Sequence, residues 1–283
     1  MNPKHTNAIE FDIAIGAGGN MVAQKALQGL AFASDYDGTL CETNWETGEE
    51  HFDPKDLAAV RRFQEQGGLF GLCTGRPLPA VTESLRGVLD VDFYILTTGA
   101  QVLDRNRKPL FEGKITRDVA EAFIERYGSG AGTPIVVTSE CFASVGRPFG
   151  IGEGKLPELE NLAAAPGDIF GLSLEYGTDA EAARMACEDI NRHFAGRLAG
   201  FQNLGSVDVV AAGCSKGAGL RKAKQELGVR VMAGMGDSYN DLPMLEAADV
   251  SYTFPKAPAV VQNEATCVLD SIAAALEDFS LRA

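Results

Sequence analysis

The chain has 283 residues, 45% of them hydrophobic, which is enough for a substantial core and longer than a single domain usually runs. Its 25 Lys and Arg against 39 Asp and Glu leave a net charge of −14, which opposes nonspecific attraction to nucleic acid or to an anionic membrane surface. No segment approaches the roughly 20 apolar residues of a membrane span, and the amino-terminal residues lack the basic-then-apolar pattern of a secretory signal, so a cytoplasmic location is expected.

In chain order, residues 1–29 read as an extension. Within it Phe11 to Gly16 is a possible edge strand and Met21 to Leu27 a possible helix. Gly16-Ala17-Gly18-Gly19-Asn20 lacks the full glycine spacing of a dinucleotide loop, so a simple extension is the better reading.

Leu30 to Ser34 is too brief for a helix and too apolar for a solvent face, so it reads as a buried strand. Asp35 and Asp37 leave its carboxyl end together. Side chains two positions apart in extended chain project to the same side, so both carboxylates can face one point. Like charges that close disfavour each other's ionisation unless something positive sits between them, which points to a metal ion and a phosphate. Gly38 lets the backbone turn sharply after them. An Asp-rich turn with only local causes is the bland alternative.

A helix is expected from Pro54 to Gln66, with Asp53 as cap and Gly67-Gly68 as stop. Leu69 to Cys73 is a second buried strand, ending in Thr74-Gly75-Arg76-Pro77. A hydroxyl and backbone N–H groups at a strand-to-helix turn suit phosphate oxygens, although Thr-Gly before a helix is also ordinary capping. Phe93 to Leu96 is the third strand. Beyond it, Pro134 to Thr138, Ile169 to Glu175 and Val207 to Ala211 have strand character, Arg117 to Tyr127 and Ala180 to Phe194 have helical spacing, and Gly146 to Pro166 reads as a loop or insertion.

Ser215 can cap a helix whose Leu220, Ala223 and Leu227 form a buried stripe. Lys216 falls in its first turn, against the macrodipole preference for acids there, which hints at an anionic partner; a solvated surface lysine is the alternative. Val231 to Met235 is a further strand, followed by Gly236-Asp237-Ser238-Tyr239-Asn240-Asp241. If a helix starts near Tyr239, Asp237 and Asp241 lie about one turn apart and can converge on one cation. Val250 to Tyr252 is the last core strand. The alternation of strands and helices implies a doubly wound parallel sheet with its site at the strands' carboxyl ends.

Taken in order, these stretches resemble the haloacid dehalogenase superfamily of phosphohydrolases. Asp35 to Thr39 matches its Asp-x-Asp-Gly-Thr, Thr74 its strand-terminal hydroxyl, Lys216 its lysine, and Gly236, Asp237, Asn240 and Asp241 its Gly-Asp-x-x-Asn-Asp. Thr74-Gly75-Arg76 and the long interval before Lys216 look like the Cof-type branch, which carries a larger α/β cap. Members of that branch often show Asn-Gly-Ala where this chain has Thr98-Gly99-Ala100, a departure that bears on cap-hinge or substrate contacts and not on the chemistry.

The resemblance implies an α/β fold, a doubly wound parallel-sheet (Rossmann-like) core with an inserted α/β cap: residues 1–100 as the first part of the core, 101–212 as the cap and 213–283 as the return of the core. It makes Asp35 the nucleophile that becomes an aspartyl-phosphate, and Asp37 the acid that protonates the leaving oxygen and then the base that activates water. Thr74, Gly75 and Lys216 would hold phosphoryl oxygens, with Asn240 beside them orienting Lys216 or an acidic neighbour. Mg²⁺ would bind the Asp35 carboxylate, the Asp37 backbone carbonyl and Asp237, with Asp241 close by or behind. Oxygen-only ligands favour Mg²⁺ over zinc.

The expected activity is Mg²⁺-dependent hydrolysis of a small phosphomonoester, with a sugar phosphate the favoured class. A phosphomutase on the same chemistry and a non-catalytic phosphometabolite-binding module are the alternatives, and the intact Asp35/Asp37 pair counts against the second. The expected partner is a small phosphorylated metabolite, with no nucleic acid and no membrane. The six cysteines show no Cys-x-x-Cys spacing and read as reduced thiols, and His5, His51 and His193 are scattered without a role.

Overall fold

Side chains of the Leu30–Ser34 strand alternate between two faces, and all five residues are buried, so the strand is central to a covered sheet. In the computed structural model, which describes residues 26–44, 47–150 and 155–282, this strand lies in the middle of an eight-stranded sheet. The expected edge strand and glycine loop of the extension, and most of its helix, fall outside the described residues.

The sheet runs in the order Cys267–Val268, Val250–Thr253, Val231–Met235, Leu30–Ser34, Leu69–Cys73, Phe93–Leu96, Gln101–Asp104, Pro109–Glu112. The first six strands pair in parallel and the last two are antiparallel. Leu30 and Phe32 face a core closed by the helices Pro54–Glu65 and Ile272–Arg282, where Phe32 stacks on Phe70 at 5.9 Å and on Tyr252 at 5.8 Å. Ala31 and Ala33 face the opposite layer, with Leu220 and Ala223 of the helix Lys216–Leu227 and with Met244. Small residues on that face let the helix bearing Lys216 approach the strand that ends in Asp35.

The helix expected from Pro54 spans Pro54–Glu65, with the Asp53 side chain accepting from the N–H of Lys55. All five expected core strands are present. One boundary moves. Gln101–Asp104 and Pro109–Glu112, expected within the cap from residue 101, pair instead on the edge of the large sheet. A tight turn explains it: Asp104 Oδ1 accepts from the N–H groups of Asn106 and Lys108, folding the chain back antiparallel where a parallel strand would need a long crossover.

The second unit is a six-stranded sheet in the order Glu158–Leu159, Phe142–Val145, Thr133–Thr138, Ile169–Glu175, Ser206–Ala211, Leu198–Asn203. Helices Arg117–Tyr127 and Ala180–His193 cover one face, packing Phe123 and Ile190 against Leu172, Leu174 and Val209. Short pieces at Glu158–Leu159 and Leu162–Ala164 punctuate the expected loop between Gly146 and Pro166.

Candidate active site

Three parallel strands that lie side by side end at one place, and each delivers a functional group there. Asp35 follows Leu30–Ser34, and its N–H is bound to the carbonyl of Met235 at 2.8 Å, which ties it to the neighbouring strand's end. Asp237 follows Val231–Met235, and Thr74 follows Leu69–Cys73.

Lys216 Nζ joins the first two groups. It donates to Asp35 Oδ1 at 2.7 Å and to Asp241 Oδ1 at 2.6 Å. The three are 1%, 5% and 0% exposed in that order, so this is a buried charge cluster and the solvated-lysine alternative is excluded. Burial opposes the charge on Lys216, but the carboxylates of Asp241 and Asp35 outweigh it and hold the ammonium well above the ordinary lysine range. Burial, and next Asp241, pushes the Asp35 carboxyl up, with Lys216 pulling the other way.

Asp241 sits in the short turn Tyr239–Asp241 before the helix Leu242–Ala247, and its second oxygen accepts from the N–H groups of Asp237 and Ser238, each at 3.0 Å. Both of its oxygens are therefore engaged, one by Lys216 and one by backbone. Asp237 keeps more freedom: Thr39 Oγ1 donates to its Oδ1 at 2.9 Å, and burial, then Asp241, pushes its carboxyl up.

Carboxylate oxygens of Asp35, Asp237 and Asp241 lie within 4.8 Å of one another. An all-oxygen donor set of this kind fits a hard divalent cation. The backbone makes room for it at Gly38, which has φ of +77° and where a Cβ would lie 2.7 Å from Asp237 Oδ2.

Thr74 is 1% exposed; its hydroxyl accepts from the N–H of Arg76 at 3.1 Å, and its carbonyl accepts from the N–H of Thr98. Thr97 and Thr98 both adopt positive φ, 49° and 51°, unusual for β-branched residues and a sign that the site over-determines the backbone there. Next to them Gly99, at φ +87°, passes so close to Ser215 that a Cβ would meet its carbonyl oxygen at 1.9 Å.

The second sheet reaches into the same place. Thr98 Oγ1 donates to Asp208 Oδ2 at 3.0 Å, and Asp208 belongs to the strand Ser206–Ala211. A Cβ on Gly75 would lie 2.9 Å from the same oxygen. Burial pushes the Asp208 carboxyl up, opposed by Lys216 and by hydrogen bonds from Thr98 and Asn240. Asn240 is 3% exposed, and its Oδ1 is buried without a partner.

Asp37 stands apart from this cluster. Its carboxylate is held by Arg76, with Nε to Oδ2 at 2.8 Å and Nη2 to Oδ1 at 2.6 Å, and by Thr43. The structure thus gathers Asp35, Thr74, Gly75, Lys216, Asp237, Asn240 and Asp241, and places the Asp37 side chain on an arginine at the margin. Asp208, Glu50 and the fork from Arg76 to Asp37 were not foreseen. Asp208 had a signal, as a charged residue in the middle of the apolar Val207–Val210 run.

A family model described as haloacid dehalogenase-like hydrolase matches residues 32–140 and 160–275, which takes in every one of these groups. The chain belongs to that family. It is a Cof-type phosphohydrolase, with the Rossmann-like core and α/β cap of that branch. It is 24% identical over 228 residues to the HMP-PP phosphatase of Cronobacter sakazakii, covering 76% of this chain and 80% of the relative. It is 23% identical over 242 residues to a 5-amino-6-(5-phospho-D-ribitylamino)uracil phosphatase of Bacillus subtilis, covering 84% and 89%. A solved subclass IIB sugar phosphatase of the superfamily superposes with a TM-score of 0.71 at 18% identity, covering 89% of this chain and 99% of the other. Phosphatases of this superfamily generally use Mg²⁺. Among the described residues no helix is long and apolar enough to cross a membrane.

Proposed function

We propose that this phosphohydrolase releases inorganic phosphate from a small phosphorylated polyol, a sugar phosphate in the favoured case, through an aspartyl-phosphate on Asp35. The observation that carries the reading is Lys216 Nζ seated between Asp35 Oδ1 and Asp241 Oδ1, with Asp237 alongside. One carboxylate thereby faces a phosphoryl-binding cation from the lysine side and an oxygen-rich cation site from the other. Phosphoryl transfer needs in-line placement and neutralised charge more than covalent assistance, and this arrangement offers both.

Asp35 and Asp237 would hold Mg²⁺ with help from the Asp37 backbone carbonyl, and Asp241 would keep Lys216 in place behind them. When bound, the ion neutralises charge on the phosphoryl oxygens. Lys216 and the Thr74–Gly75 turn would hold the remaining oxygens. Asp35 attacks phosphorus, the bond to the leaving oxygen breaks with its electron pair, and Asp37 gives that oxygen a proton. Asp37 then takes a proton from the water that attacks the phosphoenzyme and frees Asp35.

The polyol preference rests on what faces the site from above. Asp208 and the unpartnered Asn240 Oδ1 are both acceptors, so a leaving group rich in hydroxyl donors satisfies them. The likeness to a solved sugar phosphatase points the same way. The test is phosphate release from a panel of phosphomonoesters with Mg²⁺ or with EDTA. Mg²⁺-dependent release, fastest for a hydroxylated ester, is expected. Phosphoryl transfer between two positions of one substrate without release would indicate a mutase, and no turnover of any ester would overturn the reading.

A further inference from the structure

We propose that Arg76 is a positioning residue for proton transfer, holding the Asp37 carboxyl group in the orientation from which it serves the leaving oxygen; this rests on the phosphatase reading above. Nε and Nη2 of one guanidinium donate to the two oxygens of one carboxylate, at 2.8 and 2.6 Å. A fork of this kind fixes the plane of the carboxylate as well as its distance, which a lysine cannot do. Thr43 Oγ1 adds a third donor to Asp37 Oδ1 at 3.0 Å.

The guanidinium is itself held on its other sides. Nη1 donates to Glu50 Oε1 at 2.7 Å, and Cζ lies 4.5 Å from the centre of the Tyr36 ring. Glu50 is hydrogen-bonded by Ser84 in turn, and the fully buried Tyr36 joins the same group through its hydroxyl. Arg76 is therefore a bridge from Glu50, on the paired strands Glu42–Thr43 and Glu50–His51, and through Glu50 from Ser84 of the helix Leu78–Ser84, to the residue two positions after the nucleophile.

The backbone fixes where Asp37 sits, through its bridge to Cys41 and the Gly38 N–H bound to the Cys41 carbonyl at 2.8 Å, but it leaves the plane of the side chain open, and the Arg76 fork sets that. Both half-reactions require an aimed carboxyl group. In the first, a proton passes from Asp37 to the leaving oxygen as the P–O bond breaks and its electron pair stays on that oxygen. In the second, a proton passes from water to Asp37 as the water oxygen bonds to phosphorus and the bond from phosphorus to Asp35 breaks. A carboxyl group free to rotate serves neither, so Arg76 acts on the rate through Asp37 without touching substrate.

Leaving groups of different basicity separate this role from a structural one. An alkoxide must be protonated as it leaves, whereas p-nitrophenolate leaves with little help. Arg76→Ala is expected to lower kcat/KM, which reports the steps through departure of the leaving oxygen, by about 100-fold for an alkyl phosphate and by no more than about threefold for p-nitrophenyl phosphate, the span of one general acid. Arg76→Lys should fall between wild type and Arg76→Ala on the alkyl ester, and Glu50→Gln should show the same asymmetry at smaller size. These two variants carry the test if Arg76→Ala does not fold by circular dichroism. Equal losses of kcat/KM on both ester classes in the folded variants would overturn the proposal. A wild-type protein inert on every ester would overturn the phosphatase reading, and this inference with it.

Discussion

Lys216 Nζ donates to Asp35 Oδ1 at 2.7 Å although the two residues are 181 positions apart in sequence. The contact exists because Ala31 and Ala33 leave room for the helix that starts at Lys216 to pack against the strand that ends at Asp35. Small residues in a core strand thus serve the chemistry at its end.

Replacing Lys216 by Met leaves Asp35 and Asp241 as buried carboxylates with no counter-charge. The variant is expected to lose turnover and about 3–5 kcal/mol of stability, the cost of breaking a buried ion pair from one side. Urea unfolding checks it, and Mg²⁺ should restore part of the loss by neutralising the same carboxylates.

Gly38→Ala places a Cβ 2.7 Å from Asp237 Oδ2 at a backbone φ of +77°. The strain is about 1–2 kcal/mol for the left-handed conformation alone, and displacement of Asp237 should raise the Mg²⁺ concentration needed for half-maximal activity by about tenfold or more. A metal titration of initial rate measures it.

Asp208→Ala removes an acceptor above the site while leaving Asp35, Lys216 and Asp237 in place. KM for a polyol phosphate is expected to rise about tenfold, the worth of a hydrogen bond to a charged group. KM for a phosphate ester without hydroxyls should barely change, and steady-state kinetics on the two esters decides it.

In the cap, Asp189 accepts from Arg126, Tyr127 and Arg192, and hydrogen bonding, from Arg126 above all, holds its carboxyl well below the usual range. A carboxyl lowered in the folded state stabilises above its unfolded pKa of about 3.9 and loses that contribution as pH falls through the folded value. Asp189→Asn should therefore destabilise the protein at pH 7 by about 1 kcal/mol, discounted for its partial exposure. The gap between variant and wild type should narrow below about pH 4 in thermal melts, following the same titration.

Strand ends were the legible part of this chain. Leu30–Ser34, Leu69–Cys73 and Val231–Met235 announce themselves as short apolar runs, and the polar residues just beyond them are brought together by parallel pairing. The helix at Pro54 carried its own cap and stop. Elements whose identity depends on a neighbour were harder to read. Gln101–Asp104 looks like any hairpin strand, and only the unpaired edge at Phe93–Leu96 assigns it to the core. Leu198–Asn203, with a glycine in its middle, has weak strand character alone and is held by Ser206–Ala211. The Arg76–Glu50 pair and the placement of Asp208 over Thr98 are contacts between distant segments, for which one sequence carries charges but no distances.

The central claim is that Asp35 carries the phosphoryl group, and a single-turnover acid quench with a ³²P-labelled phosphomonoester and Mg²⁺ tests it most directly. Covalent label on the peptide containing Asp35, with both label and turnover abolished in Asp35→Asn, is the expected result. Undiminished phosphate release by Asp35→Asn, or label on a peptide elsewhere in the chain, would contradict it.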